Sequence, residues 1–354
     1  MKIVYVQTYP AYHDFGDSQK WLHLNNRDKW MPALTKQAGH ECELWCGAET
    51  TEVHQHKDTS LPDITIRFFK TDSLNGKSKK HISTEMVDFA RTSDTYFFVL
   101  KGVDGGIGKH LLRNFIIPEK KPFAFVIGGT VYSKFVKHAT AVLYETEFQK
   151  KMLQNPGFRF WRKVVNKKSL IKLPKSIDCD IFRPYPATEK KYDVISTGRL
   201  ISYYKNYDAL RALSKKLRVG FIGGGPELER FKKEMPDIDW IGHIPNQKVP
   251  EFLASGSVFF YTGLRDYFPR VIPEAAACGL PVVAFGDVIK RDVLPAEIGL
   301  RVTKNNYIEQ ILNLCNDENR VKQMSADARA YATEHWNKSS ANDAIQRMIQ
   351  LAVR

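Results

Sequence analysis

Two carboxylates, Asp266 and Glu274, stand eight positions apart in the segment LRDYFPRVIPEAAACGLPVVAFG (264–286), with a helix start between them. The helix is expected to begin near Pro269 or Arg270, because its prolines are tolerated only in a first turn. Gly279 suits its left-handed end, and Pro281 prevents continuation. Helical side chains lean towards the N-terminus, so Glu274 points back to where Asp266 lies. Free N–H groups and a positive dipole end there favour a phosphate. A carboxylate beside them can accept two hydrogen bonds from a vicinal diol, each worth roughly 1.5–3 kcal/mol. That chemistry suits a nucleotide sugar. The plainer reading of the pair alone is two acids favouring a helix N-terminus, at under about 1 kcal/mol each.

Two further loops raise the functional reading. STGRLISYYKN (196–206) puts Arg199 and Lys205 after a strand, where two cations can neutralise a diphosphate and the charge that grows as it leaves. GFIGGGPELERF (220–231) is a glycine-rich strand-to-helix turn that lets a ligand approach the backbone. By itself such a turn is weak evidence. All three loops follow strands of one sheet, which makes the combination stronger.

The elements that must position them alternate along the chain. In the N-terminal half KIVYVQ, ECELWCG, DTYFFVL, PFAFVIGG and ATAVLYE read as buried strands, with a helix over 20–38 stopped by Gly39. RPYPATEKKYD (183–193) reads as a linker. The alternation restarts with YDVISTG, LRVGFIGGG, IDWIGHI, SVFFYTG and LPVVAFG. The expected class is α/β, with two Rossmann-like doubly wound domains facing across a cleft. Residues 1–185 would bind the acceptor, 186–335 the donor, and a final helix over 336–354 would cross back to the first domain. Ligands in such sheets bind at the carboxyl ends of the strands.

The chain has 354 residues, ample for two domains, and a formal net charge of +14. The segment 101–175 holds 16 Lys/Arg against 4 Asp/Glu, a field that attracts anionic partners. No run approaches the roughly 18 apolar residues of a membrane span, and the N-terminus lacks a secretory pattern. The expected location is cytoplasmic, peripheral at the inner membrane face at most, or the host cytoplasm if the source is a phage. The five cysteines show no zinc spacing and read as reduced thiols.

The second half resembles the donor domain of the GT-B glycosyltransferases of retaining family 4. That family's Glu-x7-Glu followed by Ala-x-Ala/Ser-x-Gly-x-Pro-Val appears as DYFPRVIPEAAACGLPVV. Its Gly-Arg-Leu…Lys appears as GRLISYYK, its Gly-x-Gly-Pro turn as GGGPELE, and the element closing its first domain as IDCDIFRP (177–184). KIVYVQ and Gly39-His40-Glu41 also match the family's opening; the resemblance is loose over 45–170. It implies transfer of a sugar from a nucleoside diphosphate sugar to a hydroxyl with retained anomeric configuration. The leaving phosphate would help deprotonate the acceptor, with no metal and no bound cofactor. Arg199 and Lys205 would bind the diphosphate, Glu274 the ribose hydroxyls and Asp266 the donor sugar. The remaining donor-binding positions are Gly198, Gly224, Gly225, Pro226, Tyr267, Phe268, Pro269 and Arg270. A UDP-sugar is the expected co-substrate, and the acceptor an anionic membrane glycolipid, lipopolysaccharide or glycan. A phage-type DNA glycosyltransferase acting on hydroxymethylated bases and a non-catalytic nucleotide-sugar-binding protein are the alternatives.

The sequence also departs from the family. Asp266 replaces a glutamate, Pro269 replaces a glycine, and the family histidine after PFAFVIGG is missing, leaving His110 and His13 as candidates near the reacting carbon. DGGIGKH (104–110) has the wrong spacing for a phosphate loop, although Lys109 and His110 remain acceptor-side candidates. Asp178-Cys179-Asp180 spells a metal-binding Asp-x-Asp but belongs to the element closing the first domain. GFRFWRKVVNKK (157–168) interleaves cations and aromatics, with Arg159, Trp161 and Arg162 as acceptor-side candidates. It reads either as a half-buried basic helix or as a surface for lipid or nucleic acid.

Overall fold

The computed structural model describes every residue except 25–26, 59, 156–164, 186–187, 202–204 and 354. The chain forms two compact units, 1–174 with 341–354, and 175–340.

The first unit runs β1 (Lys2–Gln7), α1 (Ser18–Leu22), α2 (Arg27–Gln37), β2 (Glu41–Ala48), β3 (Glu52–His56), β4 (Ile64–Lys70), α3 (Thr84–Thr92) and β5 (Phe97–Lys101). It continues with α4 (Gly106–Leu111), β6 (Phe123–Val126), β7 (Ala141–Tyr144), α5 (Glu147–Gln154) and β8 (Leu170–Lys172). The sheet order is β3-β4-β2-β1-β5-β6-β7-β8, and only the β3–β4 pairing is antiparallel. Val, Ile, Leu and Phe on both faces of the central strands fill two cores, one on each side of the sheet.

The helix expected over 20–38 is divided in two. Lys29, fully buried, donates to the carbonyls of Trp21 at 3.0 Å, Leu22 at 2.8 Å and also Leu24. An ammonium inside the second helix thus ends the first. Burial pulls the Lys29 pKa down to about 8.

The second unit runs β9 (Tyr192–Thr197), α6 (Tyr207–Ser214), β10 (Val219–Ile222), α7 (Leu228–Glu234), β11 (Ile238–Gly242), α8 (Val249–Ala254) and β12 (Gly256–Tyr261). Then follow α9 (Val271–Ala277), β13 (Val282–Phe285), β14 (Gly299–Val302), α10 (Tyr307–Cys315) and α11 (Glu318–His335). Its sheet is wholly parallel in the order β11-β10-β9-β12-β13-β14, the doubly wound nucleotide-binding order. The fold class expected from the sequence is therefore present in both units.

The boundary lies earlier than residue 185. Ile177, Cys179 and Phe182 are buried in the core of the second unit, and Arg329 donates to the carbonyls of Cys179, Phe182 and Ala277. Asp178 pairs with Lys338 at 2.8 Å, both side chains buried, so that carboxylate closes the unit structurally. Trp336 also belongs to this core, and the last helix, α12 (Asn342–Val353), starts later than expected. It packs Ile345, Met348 and Ile349 into the core of the first unit.

Candidate functional site

In the second sheet the winding direction reverses between β9 and β12, which opens a crevice at their carboxyl ends. The loops carrying Lys205 and Asp266 leave those two strands. A bridge between Lys205 and Gly263 joins the loops, and Asn206 N–H donates to the Thr262 carbonyl at 2.7 Å.

The Lys205 ammonium lies 4.2 Å from the centre of the Tyr261 ring. The Tyr261 hydroxyl donates to Asp266 Oδ2 at 3.1 Å. Burial lowers the Lys205 pKa to about 8, against the opposing field of Asp266. Burial, with Asp266 beside it, pushes the Tyr261 phenol well above its ordinary value. Tyr261 thus connects a cation and a carboxylate both expected at the donor, although the tyrosine itself was not among the expected residues. Its position as the last residue of an apolar strand reads as core, and only its place at a carboxyl end could have marked it.

Glu274 sits in α9, its side chain 12 % exposed and its Oε1 3.8 Å from Arg270 Nε. Burial raises its pKa to about 7, while Arg270 and Lys175 pull the other way. Glu274 therefore waits near neutrality for a hydrogen-bonding partner that favours the carboxylate. Gly279, at φ +74°, ends the helix as expected.

The glycine loops pack backbone on backbone. Leu200 N–H donates to the Gly224 carbonyl at 3.0 Å and Gly198 N–H to the Ile222 carbonyl at 3.0 Å. A Cβ on Gly223, whose φ is +146°, would lie 2.0 Å from the Gly198 carbonyl oxygen, and one on Gly225 2.5 Å from that of Leu200. Only glycine lets these turns meet. Arg199 and Pro226 are exposed at this edge. The Arg199 carbonyl accepts from Tyr207 Oη at 2.9 Å, which braces the loop.

Among the remaining donor-side residues Asp266, Tyr267 and Arg270 are exposed. Phe268 is not available as expected. It is 3 % exposed, and its ring meets Trp336 edge-on at 5.8 Å, so it anchors the loop in the core. Pro269 beside it is also buried.

The first sheet reverses its winding between β1 and β5. A cavity of about 500 Å³ lies at the carboxyl ends of these strands, lined among others by Tyr9, His13, Asp28, Lys101, Asp104 and Gly129. Tyr9 and His13 stack at 4.7 Å with planes 9° apart. Asp104 accepts from the Tyr9 hydroxyl, and Lys101 pairs with Asp28. His13 Nδ1 lies 2.7 Å from Ser78 Oγ.

Lys109 and His110 do not line this cavity. Lys109 Nζ donates to the Asp104 carbonyl at 2.6 Å, and His110 turns to Asn114 on its own helix. The glycines between them serve packing: a Cβ on Gly105 would lie 2.0 Å from the Thr8 carbonyl oxygen, and one on Gly106 2.3 Å from that of His81. Arg159, Trp161 and Arg162 lie outside the described residues. A larger cavity in the second unit, about 910 Å³, reaches the amino ends of β9 and β12 at Asp193 and Ser257 and holds none of the expected site residues.

Comparison with known proteins decides what kind of domain this arrangement belongs to. The family model described as glycosyl transferases group 1 matches residues 179–331, less than half of the chain. Those residues form a group 1 glycosyl transferase domain. The gpi3 subunit of phosphatidylinositol N-acetylglucosaminyltransferase of Schizosaccharomyces pombe is 26% identical over 152 residues, covering 39% of this chain and 33% of that protein. Sulfoquinovosyl transferase SQD2 of Arabidopsis thaliana is 31% identical over 145 residues, covering 39% of this chain and 28% of that protein. The chain thus spans well under half the length of these curated relatives.

Likeness to solved structures covers both units. Sucrose-phosphate synthase from Thermosynechococcus elongatus superposes with a TM-score of 0.74 at 14% identity, over 99% of this chain and 98% of the other. Anabaena HepE, solved with UDP, gives 0.71 at 12% identity, over 99% and 100%. This likeness is one of fold, the GT-B class. Among the described residues no helix is long and apolar enough to cross a membrane.

Proposed function

We propose that this protein is a retaining glycosyltransferase that moves a sugar from a nucleoside diphosphate sugar, a UDP-sugar in the first instance, to a hydroxyl of a glycan or glycolipid. The observation that carries the reading is the Lys205–Tyr261–Asp266 cluster at the winding reversal of a group 1 glycosyl transferase domain. Lys205 and Arg199 face the diphosphate and offset the charge that accumulates on it as it leaves. Glu274 accepts hydrogen bonds from the ribose hydroxyls, which draw it into the ionised form. Asp266, oriented by Tyr261, holds a hydroxyl of the transferred sugar.

In the step itself the bond between the anomeric carbon and the phosphate oxygen breaks, and the acceptor oxygen bonds to that carbon on the same face. The acceptor proton passes to the departing phosphate. Charge stabilisation by the two cations is the protein's main contribution.

The test is a pool of UDP-, GDP- and ADP-sugars incubated with the wild-type protein and with Glu274→Ala. Donor loss is followed by mass spectrometry with and without neutral glycans. Nucleoside diphosphate formed only by the wild-type protein supports the reading; binding without turnover in the presence of every acceptor class contradicts it.

A further inference from the structure

The excess of positive charge along the first half of the sequence does not extend into the cavity of the first unit. Three carboxylates, Asp14, Asp28 and Asp104, line it against one ammonium, and that ammonium, Lys101, is paired with Asp28. A phosphate or carboxylate entering there would meet like charge. Two flat rings, Tyr9 and His13, lie parallel in the wall, and both are partly accessible. Gly128 and Gly129 line the cavity as well, and a Cβ on either would meet no atom within 4 Å. The buried Gln149 holds their loop in place, its amide donating to both carbonyls at 3.3 Å.

We propose that this cavity binds a neutral polyhydroxylated ring, a pyranose or a similar polyol, and rejects groups carrying a phosphate or carboxylate. Such a ring has an apolar C–H face suited to an aromatic plane and a rim of hydroxyls that donate to carboxylates. The volume, about 500 Å³, falls within the range of small-molecule sites. The proposal rests on the transferase reading for its biological sense, since the ring would be the acceptor whose hydroxyl receives the sugar. It replaces the anionic acceptor expected from net charge with a neutral one at the point of reaction.

The experiment is saturation-transfer NMR on the full chain with methyl α-glucopyranoside, glucuronate and glucose 6-phosphate, with UDP-glucose, GDP-mannose and ADP-glucose titrated separately on the same sample. Saturation of the neutral glycoside, absent with the two anions, is the expected result. His13→Ala should weaken the neutral probe by about tenfold, and Gly129→Leu should abolish its binding at an unchanged melting temperature. Donor affinity in both variants should equal that of the wild type. Equal or tighter binding of either anion overturns the proposal, as does failure of the neutral probe at tens of millimolar. If the neutral ring binds and no nucleotide sugar does, the cavity assignment stands and the transferase reading falls.

Discussion

The Lys205 ammonium rests 4.2 Å from the centre of the Tyr261 ring in a pocket that holds its pKa down to about 8. The ring keeps a desolvated cation in place before any phosphate arrives, and the tyrosine hydroxyl meanwhile orients Asp266. Lys205→Ala is expected to cost about 1.5–3 kcal/mol of donor binding, the range for a charged hydrogen bond. Tyr261→Phe keeps the ring and should weaken the donor far less, with the loss confined to contacts of the transferred sugar. Titration calorimetry with UDP and with the intact UDP-sugar separates the two effects, because only the latter engages Asp266.

Donor affinity should trace a bell against pH. Glu274 carries its proton up to about pH 7 because burial opposes its charge. Ribose hydroxyls favour the carboxylate, so affinity rises as pH passes upward through that value. Lys205 loses its proton above about pH 8, so affinity falls beyond it. The maximum is expected between the two. Glu274→Gln should flatten the rising limb and leave the falling limb, as measured by dissociation constants from pH 5.5 to 9.5 in one mixed buffer. The sign for stability is the reverse. A raised carboxyl pKa stabilises the fold fully below its usual 4.5, and this contribution is lost as pH rises through about 7.

Gly223 is the strictest of the glycines at the site. With φ at +146° and the Gly198 carbonyl in the way of any Cβ, Gly223→Ala must push apart the loops that carry Arg199 and Gly224. The expected cost is about 1–3 kcal/mol of stability together with loss of donor binding. Thermal melts alongside nucleotide titrations check both.

Phe268 gives the opposite pattern from the exposed Tyr267 beside it. Phe268→Ala opens a cavity against Trp336 and is expected to cost about 3–5 kcal/mol of stability. Tyr267→Ala should leave the melting temperature unchanged. Denaturant unfolding of the two variants distinguishes anchor from surface residue.

Residues that act through type and spacing were readable in advance. The cation of GRLISYYK, the glycine turn and the late acid of the α9 segment are local patterns whose chemistry constrains the residue. Phe268 was misread because an aromatic in an irregular loop has no periodicity to say which way it faces. Tyr261 was missed because the end of a buried strand and the floor of a site have the same composition. The first-unit cavity was the least legible, since Tyr9, Asp28, Asp104 and Gly129 come from separate segments that only the sheet order brings together. The split between α1 and α2 was likewise hidden. It depends on where one lysine, Lys29, reaches, and the apolar pattern runs through the break.

The most direct measurement is calorimetric titration of the wild-type protein and of Lys205→Ala with UDP-glucose, GDP-mannose and ADP-glucose, with melting temperatures taken on the same preparations. One nucleotide sugar should bind the wild type with one-to-one stoichiometry and bind Lys205→Ala at least about tenfold more weakly, at an unchanged melting temperature. Binding of the same strength by a folded Lys205→Ala protein, or no binding of any nucleotide sugar by the wild type, would contradict the account.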